Sequence, residues 1–234
     1  MPSFHTAPKL PGTSYIPPQG FLVGVLAALT VAAFCDLLGV YAAVRYLSAI
    51  GGDSGMVTGS RDDLETAASL YATSTRWQGM VLLPCAVAFV TWFAQMRRAT
   101  GLLAPDLFRN GSGWAVGAWI IPVANLWMPY RVALDMWAAS APVPRDGGTP
   151  RIRTWPLNLW WASFVSAVLV KAIAGDDVAA APLSALRDGV VWYAVADGLH
   201  VLAAVAAGYF AIRLTAMQQL KAEQGFFATA PVMP

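Results

Sequence analysis

The chain has 234 residues, of which 57% are hydrophobic and 12% charged, with a formal net charge of +2. A soluble domain carries about 25% charged residues, so this composition argues against an ordinary water-exposed surface, and the small net charge argues against a nucleic-acid partner. Charge is concentrated between the apolar runs near 20–44, 78–96, 114–130, 157–173 and 189–212, with Asp36, Lys171 and Asp197 as the exceptions inside them.

Residues 1–19 are polar and hold five prolines (Pro2, Pro8, Pro11, Pro17 and Pro18) with Lys9 as the one base. No short apolar core ends in a small-residue cleavage site, so the segment reads as a disordered cytoplasmic arm and not as a signal peptide. The first span follows from Gly20 to about Tyr46, longer than the roughly 20 residues that cross a bilayer. Residues 51–75 read as an outside loop in which Arg61-Asp62-Asp63-Leu64-Glu65 opens a short helix, because acids near a helix start complement its dipole. The second span, about Trp77 to Met96, contains Pro84 and stops at Arg97 and Arg98.

The third run is different. Pro122 and Pro129 remove backbone donors and break helical continuity, and such backbone is tolerated at membrane depth only inside protein or against a wet cavity. Both of its flanks are basic. Arg97, Arg98 and Arg109 precede it, and Arg131, Arg145, Arg151 and Arg153 follow it. Short basic loops stay in the cytoplasm, so the run is expected to enter and leave on one side. Beyond Pro129, Arg131 and Asp135 are four apart on one face of an amphipathic helix. The fourth span runs from about Leu157 to Val170, with Lys171 expected to snorkel at its outer end. The last runs from about Gly189 to Ile212.

The expected fold is therefore all-α: a polytopic membrane bundle of four transmembrane helices plus a Pro-broken re-entrant or interfacial segment, with five ordinary spans as the alternative. Residues 20–222 form one integral membrane domain, residues 223–234 a flexible tail, and both termini fall in the cytoplasm of a multi-pass cell-membrane protein. Trp92, Trp114, Trp119, Trp127, Trp137, Trp155, Trp160 and Trp161 map to the cytoplasmic half, while Trp77 and Trp192 map to the outer half. Cys35 and Cys85 lie in apolar runs without redox or metal-ligand spacing.

Ionisable residues inside a span are costly and point to function. Asp36 lies in the first span, and Asp197 and His200 in the last. Counted from the helix ends, the two aspartates are at similar depth, and His200 is one turn beyond Asp197 on the same face. An Asp–His pair beside a second Asp is an acid–base or proton-relay constellation, or a polar clasp between helices. Asp135 is the one acid on the tryptophan-rich side. No phosphate loop or metal-ligand cluster is evident, and no cofactor or metal is expected.

The stretch 93–98 (FAQMRR), the block 113–140 and the pair Trp160-Trp161 resemble an actinobacterial membrane family catalogued as domain of unknown function 4328, over roughly residues 20–222. The resemblance implies a polytopic membrane protein, and proteins of this kind accompany prenylated natural-product biosynthesis as candidate membrane terpene cyclases. Acid-initiated cyclisation of an isoprenoid needs a protonated carboxyl, a dry cavity and aromatic faces that stabilise carbocations. The candidate catalytic residues are Asp36 or Asp197, with His200 to tune or reprotonate the acid and Asp135 as the alternate. Trp119, Trp127, Trp137, Trp160 and Trp161, with Asn125 and Arg131, are the candidate substrate-binding set. Membrane lipids and a hydrophobic isoprenoid are the expected contacts, and a homo-oligomer is left open. The competing reading is a non-catalytic scaffold or accessory subunit that binds lipid or a protein partner. A proton-coupled transporter fits less well, because four spans without an internal repeat make a poor alternating-access machine.

Overall fold

The computed structural model describes residues 19–51, 59–103, 111–142, 153–174 and 183–228. Residues 1–18 of the expected arm and 229–234 of the expected tail lie outside the described residues, as do Arg109, Arg145 and Arg151. Among the described residues six α-helices follow one another: α1 (Gln19–Ile50), α2 (Arg61–Leu103), α3 (Trp114–Ile120), α4 (Met128–Ala139), α5 (Trp155–Ala174) and α6 (Leu183–Ala228). Among the described residues there is no strand. The helices α1, α2, α5 and α6 are long and apolar enough to cross a membrane.

The long helices outrun the apolar stretches that announce them, because hydrophobicity marks the hydrocarbon crossing and not the helix end. The clearest correction concerns 51–75. Helix α2 does open at Arg61 but does not stop, running on through Trp77 to Leu103. Its start is a reciprocal cap. The Asp63 backbone N–H donates to Ser60 Oγ at 3.1 Å, while the Ser60 hydroxyl and backbone N–H donate to Asp63 Oδ2 at 2.7 and 3.3 Å. This is the capping-box arrangement with Asp in the acceptor role. Gly51, at φ 85°, ends α1 in the left-handed region, which costs glycine nothing.

The third apolar run does not cross. Helix α3 has 7 residues and α4 has 12, and neither reaches the roughly 20 residues a span requires. Five ordinary spans are therefore not formed. The break has a local cause: Ile121 precedes Pro122 and is extended, at φ −82° and ψ 112°, as a residue before proline prefers. A 3-10 turn at Ala124–Leu126 follows, and Pro129 sits in the first turn of α4, where its missing donor is not needed.

The four long helices pack in the order α2, α1, α6, α5, with α3 and α4 bridging at one end. At that end the contact is aromatic. Trp160 stacks on Phe210 at 5.4 Å, Trp92 meets Phe210 edge-on at 5.6 Å, and Phe89 lies 5.6 Å from Trp160. Towards the opposite end, α1 buries small residues instead, Gly39, Ala42, Ala43 and Ala49, which allow close backbone approach. At the aromatic end a polar clamp ties α2, α4 and α6 together. Gln218 Nε2 donates to Thr100 Oγ1 at 2.7 Å, and Lys221 Nζ donates to Ala139 O, the end of α4, at 2.6 Å.

Candidate functional site

All four spanning helices contribute to one polar cluster. Asp36 comes from α1, Gln78 from α2, Lys171 from α5, and Asp197 with His200 from α6. Asp36 lies about four turns from the end of α1 at Ile50, and Asp197 about four turns from the start of α6 at Leu183. The antiparallel helices thus bring them to one level. Single donor atoms of Asp36, Asp197 and His200 all lie within 4.8 Å of one another.

The two carboxyls have different surroundings. Asp197 is 4% exposed. Its Oδ2 accepts a hydrogen bond from Gln78 Nε2 at 2.8 Å, and its Oδ1 lies 3.2 Å from Lys171 Nζ. That second contact is an ion pair without a hydrogen bond, because Oδ1 has no hydrogen-bond partner. Asp36 is half-buried and feels the charges of Asp197 and Lys171, yet among the described residues it has no hydrogen bond or ion pair of its own. Gly39 keeps the cluster closed from the α1 side: a Cβ there would overlap Gln78 Nε2 and Asp197 Oδ2. Asp36, Asp197 and His200 are also the atoms that could surround a cation, but the Lys171 ammonium already sits against Asp197.

Lys171 is a correction to the sequence reading. It does not extend outward from α5 but turns inward to Asp197. Gln78 and Gly39 were not singled out at all. The signal for Gln78 was its place in the second apolar run, one turn beyond Ser74 on the face that also carries Tyr71.

The remaining expected site residues lie elsewhere. Asp135 is half-buried on α4, within electrostatic reach of Arg97 on α2. Arg131 is exposed, and these two described residues, Arg131 and Asp135, form no ion pair. Trp127 is 48% exposed. Trp137 donates from Nε1 to Arg153 O at 3.2 Å. Trp119 packs edge-on against Phe89 and Phe93 at 5.7 and 5.9 Å. Trp160 is 3% exposed, and Trp161 stacks on Tyr130 at 6.3 Å. Asn125 is half-buried in the 3-10 turn, with an Oδ1 that has no hydrogen-bond partner. Trp119, Trp160 and Trp161 are joined ring to ring, and Trp137 joins them through Phe210. A shallow hollow of about 300 Å³ beside Gly113, Trp114 and Gly117 is on none of the helices that carry the cluster.

The fold and the cluster together define a multi-pass helical membrane protein with an ionisable centre inside its bundle. The family description that matches is a domain of unknown function (DUF4328), over residues 57–216, and the chain belongs to that family. Comparison with curated proteins and with solved structures finds no match.

Proposed function

We propose that the protein is a membrane-embedded acid–base centre acting on a lipid-soluble substrate, with Asp36 as the proton-bearing carboxyl and Asp197 as its fixed anionic neighbour. The observation that carries this reading is the charge balance: two carboxyls and one ammonium share a site inside the bundle. If both carboxyls were ionised, one negative charge would remain unpaired in a low-dielectric interior, at a cost of several kcal/mol. A proton on one carboxyl removes it. Asp197 takes the ammonium and the Gln78 hydrogen bond, so it is the stabilised anion, and Asp36 keeps the proton. Two like groups given separate roles by their surroundings is a recurring acid–base arrangement. His200, beside both, is placed to return a proton after transfer.

In its most specific form this is acid-initiated cyclisation of an isoprenoid. The Asp36 proton adds to one carbon of a substrate double bond, the resulting cation is closed by a second double bond, and loss of a proton to a base ends the sequence. Product and substrate then contain the same atoms, and no redox cofactor is required. Tyr71, within electrostatic reach of Asp197, and Tyr46, stacked on Tyr71 at 5.7 Å, would be the rings that face the cation in this reading. On the rule that basic flanks stay inside, the tryptophan end with Arg97, Arg98 and Arg153 is the cytoplasmic end.

The scaffold reading is favoured by a different observation, the aromatic end, where the ring faces are occupied by one another. The two are separated by expressing the full chain in a host supplied with prenylated substrates and comparing Asp36→Asn, Asp197→Asn and Asp135→Asn at matched membrane levels. Loss of product in Asp36→Asn with retention in Asp135→Asn is the expected result. A parent protein that converts no prenylated substrate leaves the scaffold as the function.

A further inference from the structure

Beyond the cluster itself, polar side chains recur along the packed faces in one direction and stop in the other. On α2, Tyr71, Ser74 and Gln78 recur at three- and four-residue spacing and so share a face. On α6, Tyr193, Asp197 and His200 do the same. On α1, Asp36 and Tyr46 lie on the face that also carries Gly39. Tyr46 and Tyr71 stack at 5.7 Å, and Tyr71 lies within electrostatic reach of Asp197 and Tyr193. Ser74 is 5% exposed, and its hydroxyl donates to Tyr71 O at 2.8 Å. Gln78 donates to Asp197. Hydroxyl and amide groups therefore reach from the rim where α1 ends and α2 begins down to the carboxyls.

Past His200 the buried faces are apolar. Ala203, Ala206, Ala207, Phe210 and Leu214 follow on α6, and Phe89, Trp92 and Phe93 face them from α2. From His200 to Phe210 this is about 15 Å of helix, and it ends in the interlocked rings of Trp92, Trp160 and Phe210. A proton moves along groups that can exchange hydrogen bonds; the α2 and α6 faces of this layer offer none, and the buried Ser163 hydroxyl of α5 is turned back onto Leu159 O and Trp160 O of its own helix.

We infer that protons reach Asp36 from one face of the membrane only, the face at which α1 ends and α2 begins, by way of Tyr71, Ser74 and Tyr193, and that the aromatic layer seals the site from the opposite face. This rests on the reading of Asp36 as the proton carrier. The ionisable groups that face it are Cys35 on its own helix, Cys85 on α2, Lys171 on α5, and Asp197 and His200 on α6. A substrate entering from lipid would then draw its proton from a single aqueous compartment, and repeated turnover would depend on the pH of that compartment alone.

A lipid-soluble carbodiimide tests this without requiring turnover, because it adds to a carboxyl that still holds its proton. Full-length protein is sealed in vesicles of uniform orientation, the two pH values are set independently, and adduct at Asp36 is measured by peptide mass spectrometry. The labelling rate should fall about tenfold for each unit by which the pH on the α1–α2 rim side exceeds the carboxyl's titration point. It should not respond to the pH on the tryptophan side. Labelling that follows the tryptophan side, or both sides equally, overturns the inference while leaving the proton on Asp36 intact. A protein in which Asp36 is never labelled overturns the acid–base reading and this inference with it. The double variant Tyr71→Phe, Ser74→Ala should answer a rim-side pH jump several-fold more slowly than the parent; an unchanged response removes those residues from the route.

Discussion

Lys171 Nζ lies 3.2 Å from Asp197 Oδ1, with the lysine side chain 31% exposed and the aspartate side chain 6% exposed. A cation near the end of an apolar helix ordinarily extends to the interface. Here it turns inward, where the Asp197 carboxyl lies within reach.

Removing one partner of such a pair leaves the other charge uncompensated. Lys171→Met should therefore destabilise the protein in detergent by roughly 2–4 kcal/mol, somewhat below the range for a fully buried pair because Lys171 is partly exposed. Lys171→Met combined with Asp197→Asn should recover most of that loss. Thermal unfolding of the two single variants and the double variant checks the coupling, and additive losses would mean that the pair is not formed.

Gly39 gives a sharper steric test. Gly39→Ala places a methyl group where the Gln78 amide and the Asp197 carboxylate meet, and should cost about 1–3 kcal/mol by forcing them apart. Gly79→Ala, which meets nothing within 4 Å, should be neutral or stabilising by up to about 1 kcal/mol. Equal effects at the two positions would contradict the close approach of α1 to the cluster.

The tryptophans should divide by burial. Trp160→Ala removes a 3% exposed ring that packs against Phe89, Trp119, Trp161 and Phe210, at an expected cost of about 3–5 kcal/mol. Trp127→Ala, at a 48% exposed position, should change stability by less than about 1 kcal/mol. Unfolding midpoints decide this, and a Trp160→Ala protein as stable as the parent would mean that the ring is not core.

Reporter fusions at Gly101 and Gly148 should lie on the same side of the membrane, because α3 and α4 are both too short to carry the chain across. Opposite locations would require the 114–139 segment to span.

Much of this arrangement was legible in residue spacing. The four spans, the break at Pro122 and Pro129, and the similar depth of Asp36 and Asp197 with His200 one turn beyond all follow from apolar run length, proline chemistry and helical rise. What was not legible depends on how far each helix is recessed against its neighbours. Lys171 sits in the last turn of α5 but meets a residue four turns inside α6, and no pattern within either helix records that offset. Gln78 lies inside the second apolar run, but the residues that share its face, Tyr71 and Ser74, belong to a stretch that reads as loop and is in fact the opening of α2. Trp92, Trp119, Trp137, Trp160 and Trp161, which the sequence assigns to one half, do meet in one aromatic cluster. Whether their rings line a space or fill it is a matter of tertiary packing, to which the residue type alone is indifferent.

The most direct test of the proton-bearing centre is infrared spectroscopy of the lipid-reconstituted protein, read at the C=O stretch of a protonated carboxyl in dry surroundings. The parent should show this band at neutral pH, Asp36→Asn should lose it, and Asp135→Asn should keep it. A parent without the band, or a band that survives in Asp36→Asn and disappears in Asp197→Asn, would contradict the assignment of the proton to Asp36.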